Sequence, residues 1–141
     1  MKATLDIILS DINIWAILVC VVINQMIGAF WYSPLAFGKA WAKEVGIDID
    51  KIDKKDANKR MLFAALLGIL IALILSIFVY VVDVNVWFTG AILGALLGLL
   101  VAIVIGTIYL FEGKTMRQYL INVLYVILSF AVQGAVLAVW H

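Results

Sequence analysis

The chain has 141 residues, 67% of them hydrophobic and 13% charged, with a mean hydropathy of +1.18. A soluble domain is about half apolar and about a quarter charged, so this composition excludes an ordinary water-soluble domain and points to lipid. The net charge of +1 supplies no global field for nucleic acid, and the lone Cys20 excludes a disulfide framework.

Four stretches are long enough to cross a bilayer: about 14–32, 61–82, 86–111 and 119–140. A hydrocarbon core of about 30 Å needs about 20 apolar residues. With no water to satisfy the backbone there, each stretch must be helical. The expected fold is therefore an all-α membrane protein, residues 1–141 forming one four-helix transmembrane domain. Residues 1–11 suggest a short amphipathic lead-in. No cleavable signal peptide is expected, because Lys2 is the only early cation and Asp6 and Asp11 follow it.

The first span ends in an aromatic cluster. Trp31, Tyr32 and Trp41 are rings with polar tips, which favour the membrane–water boundary. Pro34 cannot continue a helix and biases Ser33 away from helical geometry. Gly38 permits a turn, and Lys39 seeks water or phosphate headgroups. The following loop, 33–60, is read as the only sizeable soluble part. It mixes five lysines and arginines after Glu44 with Asp48, Asp50, Asp53 and Asp56, while Ile47, Ile49 and Ile52 are placed to touch the membrane surface. The aspartates lack the glycine and terminal glutamate of an EF-hand loop, so a solvated charged loop is the plainer reading.

Nine of the ten Lys and Arg lie in loops 33–60 and 112–118. Four spans put both loops on one side, and the positive-inside rule makes that side cytoplasmic. Both termini are then extracytoplasmic, in a multi-pass protein of the plasma membrane. All five tryptophans fall at or near the expected interfaces.

Asp11-Ile12-Asn13-Ile14-Trp15 precedes the first span, and Asp83-Val84-Asn85-Val86-Trp87 precedes the third. The match suggests two like-oriented hairpins related as a parallel internal repeat. Gly90, Gly94, Gly98, Ala102 and Gly106 stripe the third span, and Ala64, Gly68, Ala72 and Ser76 stripe the second. Small residues let helices approach closely, and the short connection predicts that spans two and three pack on each other; the rival use of the glycine stripe is contact between subunits.

Asn122, Tyr125, Ser129 and Gln133 fall within about 80° of one another around the fourth span. Asn13, Cys20 and Asn24 share a face of the first, with Gly28 nearby and Gln25 to the side. A hydrogen bond between spans one and four around Asn24 is predicted, either as glue between helices or as the polar lining of a ligand site. No Asp, Glu, Lys, Arg or His lies in the middle of a span, which removes the acid that small four-helix proton-coupled exporters need. No His, Cys or carboxylate cluster has metal-ligand spacing, and the single histidine is the last residue, so no cofactor and no enzyme activity are expected. Glu112, beside Gly113 and Lys114 at the cytoplasmic edge, is expected to pair with a lysine near Gly38 and Lys39.

Trp31-Tyr32-Ser33-Pro34-Leu35, Phe37-Gly38-Lys39-Ala40-Trp41 and Leu110-Phe111-Glu112-Gly113-Lys114, followed by Tyr119, Asn122 and Tyr125, resemble the small prokaryotic membrane proteins grouped as domain of unknown function 1761. The resemblance covers essentially the whole chain. It implies four membrane helices and no established activity. Members often carry a histidine after the span-four tyrosine; here that position is Val126, so a role requiring that imidazole does not carry over. The residues thus suggest a non-enzymatic structural or accessory membrane protein, as a homo-oligomer or in a larger membrane complex, with membrane lipid around it. The alternative is a carrier or binder of a small neutral or lipidic ligand held by Asn24, Asn122, Tyr125, Ser129 and Gln133. A further reading is headgroup recognition at the rim by Ser33, Lys39, Trp41, Glu112 and Lys114.

Overall fold

The computed structural model describes residue 6 and residues 10–140, so most of the expected lead-in over 1–11 lies outside the described residues. The chain runs through α1 (Ile14–Trp31), α2 (Gly38–Val45), a 3₁₀ turn (Ile49–Lys51), α3 (Lys54–Val82), α4 (Trp87–Phe111) and α5 (Met116–Val139). Among the described residues, α1, α3, α4 and α5 are the helices long and apolar enough to cross a membrane. Only 17–33% of the most apolar window of each is buried, so most of that apolar surface faces outward, consistent with a multi-pass membrane protein.

Polar caps set the helix starts. The Asn13 side chain accepts from the Trp15 and Ala16 amides at 3.0 and 3.4 Å. Asp53 accepts from the Lys55 amide, so α3 begins at Lys54, ahead of the membrane span expected from 61 and close to a first helical turn read at 56–60. Thr115 accepts from the Gln118 amide, and α5 begins at Met116 rather than 119. Each cap satisfies an amide that has no partner inside its helix.

The loop after α1 is not merely a solvated connection: a short fifth helix joins the four long ones, which corrects the reading of 33–60 as loop and leaves the four spans as expected. Residues 38–45 form a fifth helical segment, closed at Gly46 by a left-handed backbone (φ 74°). Ala40 through Glu44 are mostly good helix formers, which outweighs the short length once the segment has a surface to pack on. That surface is α5 together with the end of α1, where Trp41 meets Tyr32 edge-on with ring centroids 5.4 Å apart, and Ala42 is buried.

Contacts along the helices fix their directions. Asn24 and Val21 lie opposite Gly68, and Gln25 Nε2 donates to the Met61 carbonyl at 2.9 Å, so α1 and α3 are antiparallel. α5 is antiparallel to α1, with Tyr32 meeting Asn122 at one end and Cys20 meeting Gln133 at the other. The main core lies where these three helices meet, around Ala16, Cys20, Ala72, Leu75, Val79 and Leu137.

The glycine stripe of α4 packs against α5, not against α3. A Cβ on Gly90 would overlap the Gly134 carbonyl oxygen, and one on Gly94 would overlap the carbonyl oxygen of Phe130. α3 and α4 barely touch despite their short connection. The reason is complementarity: α5 has its own small residues, Ala131, Gly134 and Ala138, at the spacing that receives the stripe. Of the α3 stripe, Gly68, Ala72 and Ser76 are buried elsewhere, with Gly68 against α1, and Ala64 is exposed.

The two Asp-x-Asn-x-Trp stretches differ in local structure. Asn13 caps α1, whereas Asn85 Nδ2 donates back to Asp83 Oδ1 and O at 3.0 and 3.2 Å. Asp83 itself adopts φ 56°, and α4 starts after Val86 with no side-chain cap.

Candidate functional site: two polar clusters joining α1 and α5

The first cluster centres on Asn24. Its Oδ1 accepts from Tyr125 Oη at 3.0 Å and from Ser129 Oγ. Gln133 Nε2 donates to Ser129 Oγ at 3.1 Å and also to the Ser129 carbonyl. One turn up α1, the Cys20 thiol donates to the Gln133 carbonyl at 3.8 Å. Residues 125, 129 and 133 follow at i, i+4 and i+8, so one face of α5 delivers all three groups. Gly28 makes room, since a Cβ there would stand 3.2 Å from the Tyr125 hydroxyl. Ser129 and Gln133 are buried, and Gln133 Oε1 has no hydrogen-bond partner among the described residues.

Asn122 does not join Asn24. It belongs to a second cluster nearer the basic rim, where Tyr32 Oη donates to Asn122 Oδ1 at 2.8 Å and Asn122 Nδ2 donates to Tyr109 Oη at 2.9 Å. This short chain ties α1, α5 and α4 together. The Tyr32 ring also meets Tyr125 edge-on at 5.4 Å, linking the two clusters through aromatic contact. Trp31 Nε1 donates to the Ile121 carbonyl at 2.9 Å, while its ring packs on Phe37 at 4.5 Å.

The backbone after α1 folds back tightly. Ser33 Oγ donates to the Phe30 carbonyl at 2.7 Å, and the Ser33 carbonyl accepts from both Ala36 and Gly38 amides. A Cβ on Gly38 would collide with the Tyr32 carbonyl and the Ser33 backbone. Only glycine permits this approach. Pro34 is exposed at the turn, and with Lys39 and Lys43 it borders an open cavity of about 620 Å³ completed by residues of the 3₁₀ region.

The expected pairing of Glu112 with a lysine of the first loop is not found. Glu112, Gly113 and Lys114 are exposed, and among the described residues the ion pair present is Lys51 with Asp48, at 3.2 Å. The two basic loops instead meet through Thr115, whose hydroxyl donates to the Glu44 carboxylate. At a water-exposed rim a charged pair gains little over solvated ions, so nothing compels Glu112 to find Lys39. Thr115 is also the cap of α5, and Thr-x-x-Gln at 115–118 is the sequence signal that identifies it. Tyr109 and Glu44 had no comparable signal.

The clusters consist of amides, hydroxyls and aromatic rings, groups suited to mutual hydrogen bonding. Among the described residues no group of three or more His, Cys, Asp or Glu is placed to hold a metal ion. None of Asn24, Asn122, Tyr125, Ser129 and Gln133 borders either of the two cavities described, both of which lie at the basic rim.

No curated protein and no solved structure matches the chain. The family described as protein of unknown function DUF1761 matches over residues 15–138, nearly the full length, with the Trp31–Trp41 turn and both polar clusters inside the match. The chain belongs to this family.

Proposed function

We propose that the protein is a non-enzymatic structural or accessory membrane protein that works as a homo-oligomer or within a larger membrane complex. The observation that carries this reading is how the intramembrane polar groups are used. Asn24 binds Tyr125 and Ser129, and Asn122 binds Tyr32 and Tyr109, so these groups hold helices together. Each such bond contributes only about 0.6–2 kcal/mol, a scale that suits fixing helix register. The same reading takes the spans as two like-oriented hairpins, crossing the plasma membrane with loops 33–60 and 112–118 cytoplasmic and both termini outside. The positive-inside rule supports that orientation. The test is the particle mass of the tagged protein, extracted at natural abundance in mild detergent and measured by light scattering after size exclusion. A mass above one chain supports the proposal, and a strictly monomeric protein overturns it.

A second reading is a carrier or binder of a small neutral or lipidic ligand between α1 and α5. One observation favours it: the buried Gln133 Oε1 has no partner among the described residues, and a buried acceptor left bare costs about 1–3 kcal/mol. A donor from a bound molecule would satisfy it. Organic extraction of the purified protein, with Gln133→Leu beside the wild type, distinguishes the two: a molecule released only by the wild type favours the binder.

A further inference from the structure

A groove of about 220 Å³ lies between the start of α2 and the first turns of α5, lined by Trp31, Phe37, Ala40, Leu120, Ile121 and Leu124 with Arg117 beside them. On α5, positions 117, 120, 121 and 124 lie on one face at helical spacing, so the cation stands at the rim end and the leucines lead along the helix toward the membrane interior. Leu120 and Leu124 are 46% and 49% exposed, so the groove opens on its apolar side. The opposite wall is rigid: the Trp31 indole is held by its bond to the Ile121 carbonyl and by its contact with Phe37.

We propose that this groove is a binding site for one anionic phospholipid, with the phosphate on Arg117 and an acyl chain along Trp31, Leu120 and Leu124. Three observations select this occupant. First, the volume is below the roughly 300–1,000 Å³ of pockets that enclose a drug-sized ligand, so a single chain entering from the lipid side fits better than a whole soluble molecule. Second, Arg117 makes no ion pair with a described residue, and a planar guanidinium matches phosphate oxygens in a bidentate geometry. Third, the charge is complementary. Loops 33–60 and 112–118 hold nine cations against six acids, a net of +3 in a chain of net charge +1. Glu44, the one acid of the facing helix, does not line the groove and accepts from the Thr115 hydroxyl. The Lys and Arg of this rim attract anionic headgroups over about a Debye length, and Arg117 with its groove supplies the specific seat.

The proposal stands whether or not the protein has a partner subunit. The experiment is native mass spectrometry of the purified full chain in mild detergent, titrated with phosphatidylglycerol or phosphatidylcholine of matched acyl chains. The wild type is expected to retain one phosphatidylglycerol at least about fivefold more tightly than phosphatidylcholine. Arg117→Gln is expected to lose that preference, Arg117→Lys to keep part of it, and Ala40→Phe, which fills the groove without changing charge, to lose the tightly held lipid. Circular dichroism identifies variants that have not folded, and Leu124→Trp is the alternate groove-filling variant. Equal retention of both lipids by the wild type, or unchanged phosphatidylglycerol retention in both Arg117→Gln and a folded groove-filling variant, overturns the proposal.

Discussion

Gly90 of α4 lies directly against the main chain of Gly134 of α5, and each glycine leaves no space for a Cβ in front of the other's carbonyl. This contact joins the last two long helices backbone to backbone. In lipid no hydrophobic drive favours one helix partner over another, so close van der Waals packing of this kind determines which helices associate.

Substitution of the glycines therefore has a sign that depends on position. Gly94→Ala forces a methyl into the Phe130 carbonyl and is expected to destabilise the protein by about 1–3 kcal/mol. Gly68→Ala meets only ordinary contacts, 3.8 Å from Asn24 and Val21, and is expected to stabilise by about 0.5–1 kcal/mol through helix propensity. Thermal unfolding in detergent, followed by circular dichroism, measures both.

The Asn24–Ser129 bond is testable as a pair. Asn24→Ala and Ser129→Ala, alone and together, are expected to show a coupling of about 0.6–2 kcal/mol. Asn24→Ala paired with Asn122→Ala is expected to be nearly additive, because Asn122 bonds to Tyr32 and Tyr109 instead. Unfolding free energies of the two sets decide this.

Gly38→Ala is expected to loosen the turn and α2 while leaving the four long helices formed. A Cβ there meets backbone atoms of Tyr32 and Ser33, which cannot yield as a flexible side chain would. Hydrogen–deuterium exchange should rise in peptides covering 33–45 and stay unchanged within 87–111.

Thr115→Ala removes both a helix cap and the contact to Glu44, whereas Glu44→Gln retains the cap. The first is expected to cost about 1–2 kcal/mol and the second less than about half of that. Equal losses would show that the Glu44 contact outweighs the cap.

Much of this was legible in the chain. The four spans follow from apolar length, and the Asn24 contact follows from the 100° spacing of Tyr125, Ser129 and Gln133. The partner of the α4 glycine stripe was not legible. A stripe of small residues records that some helix approaches closely, and α3 and α5 both carry residues small enough to receive it. The helix at 38–45 was hidden for a related reason. Pro34 and Gly38 read as loop formers, and its stability depends on Trp41 reaching Tyr32, a tertiary contact. Asn122 shares the polar face of α5, yet its position nearer the rim brings it to Tyr32 and Tyr109. Helical spacing assigns a face and leaves the partner at each depth open.

The central claim is that these intramembrane polar groups hold the helices of one chain together in a protein that works as an assembly. Native mass spectrometry of the tagged protein, taken at natural abundance and released from mild detergent, tests it most directly. The account predicts a homo-oligomer or a complex with another subunit, in which Asn24→Ala and Asn122→Ala weaken the assembly by loosening the fold. A monomer that retains one defined small molecule, lost on substitution of Ser129 or Gln133, would contradict it and assign those residues to a ligand site.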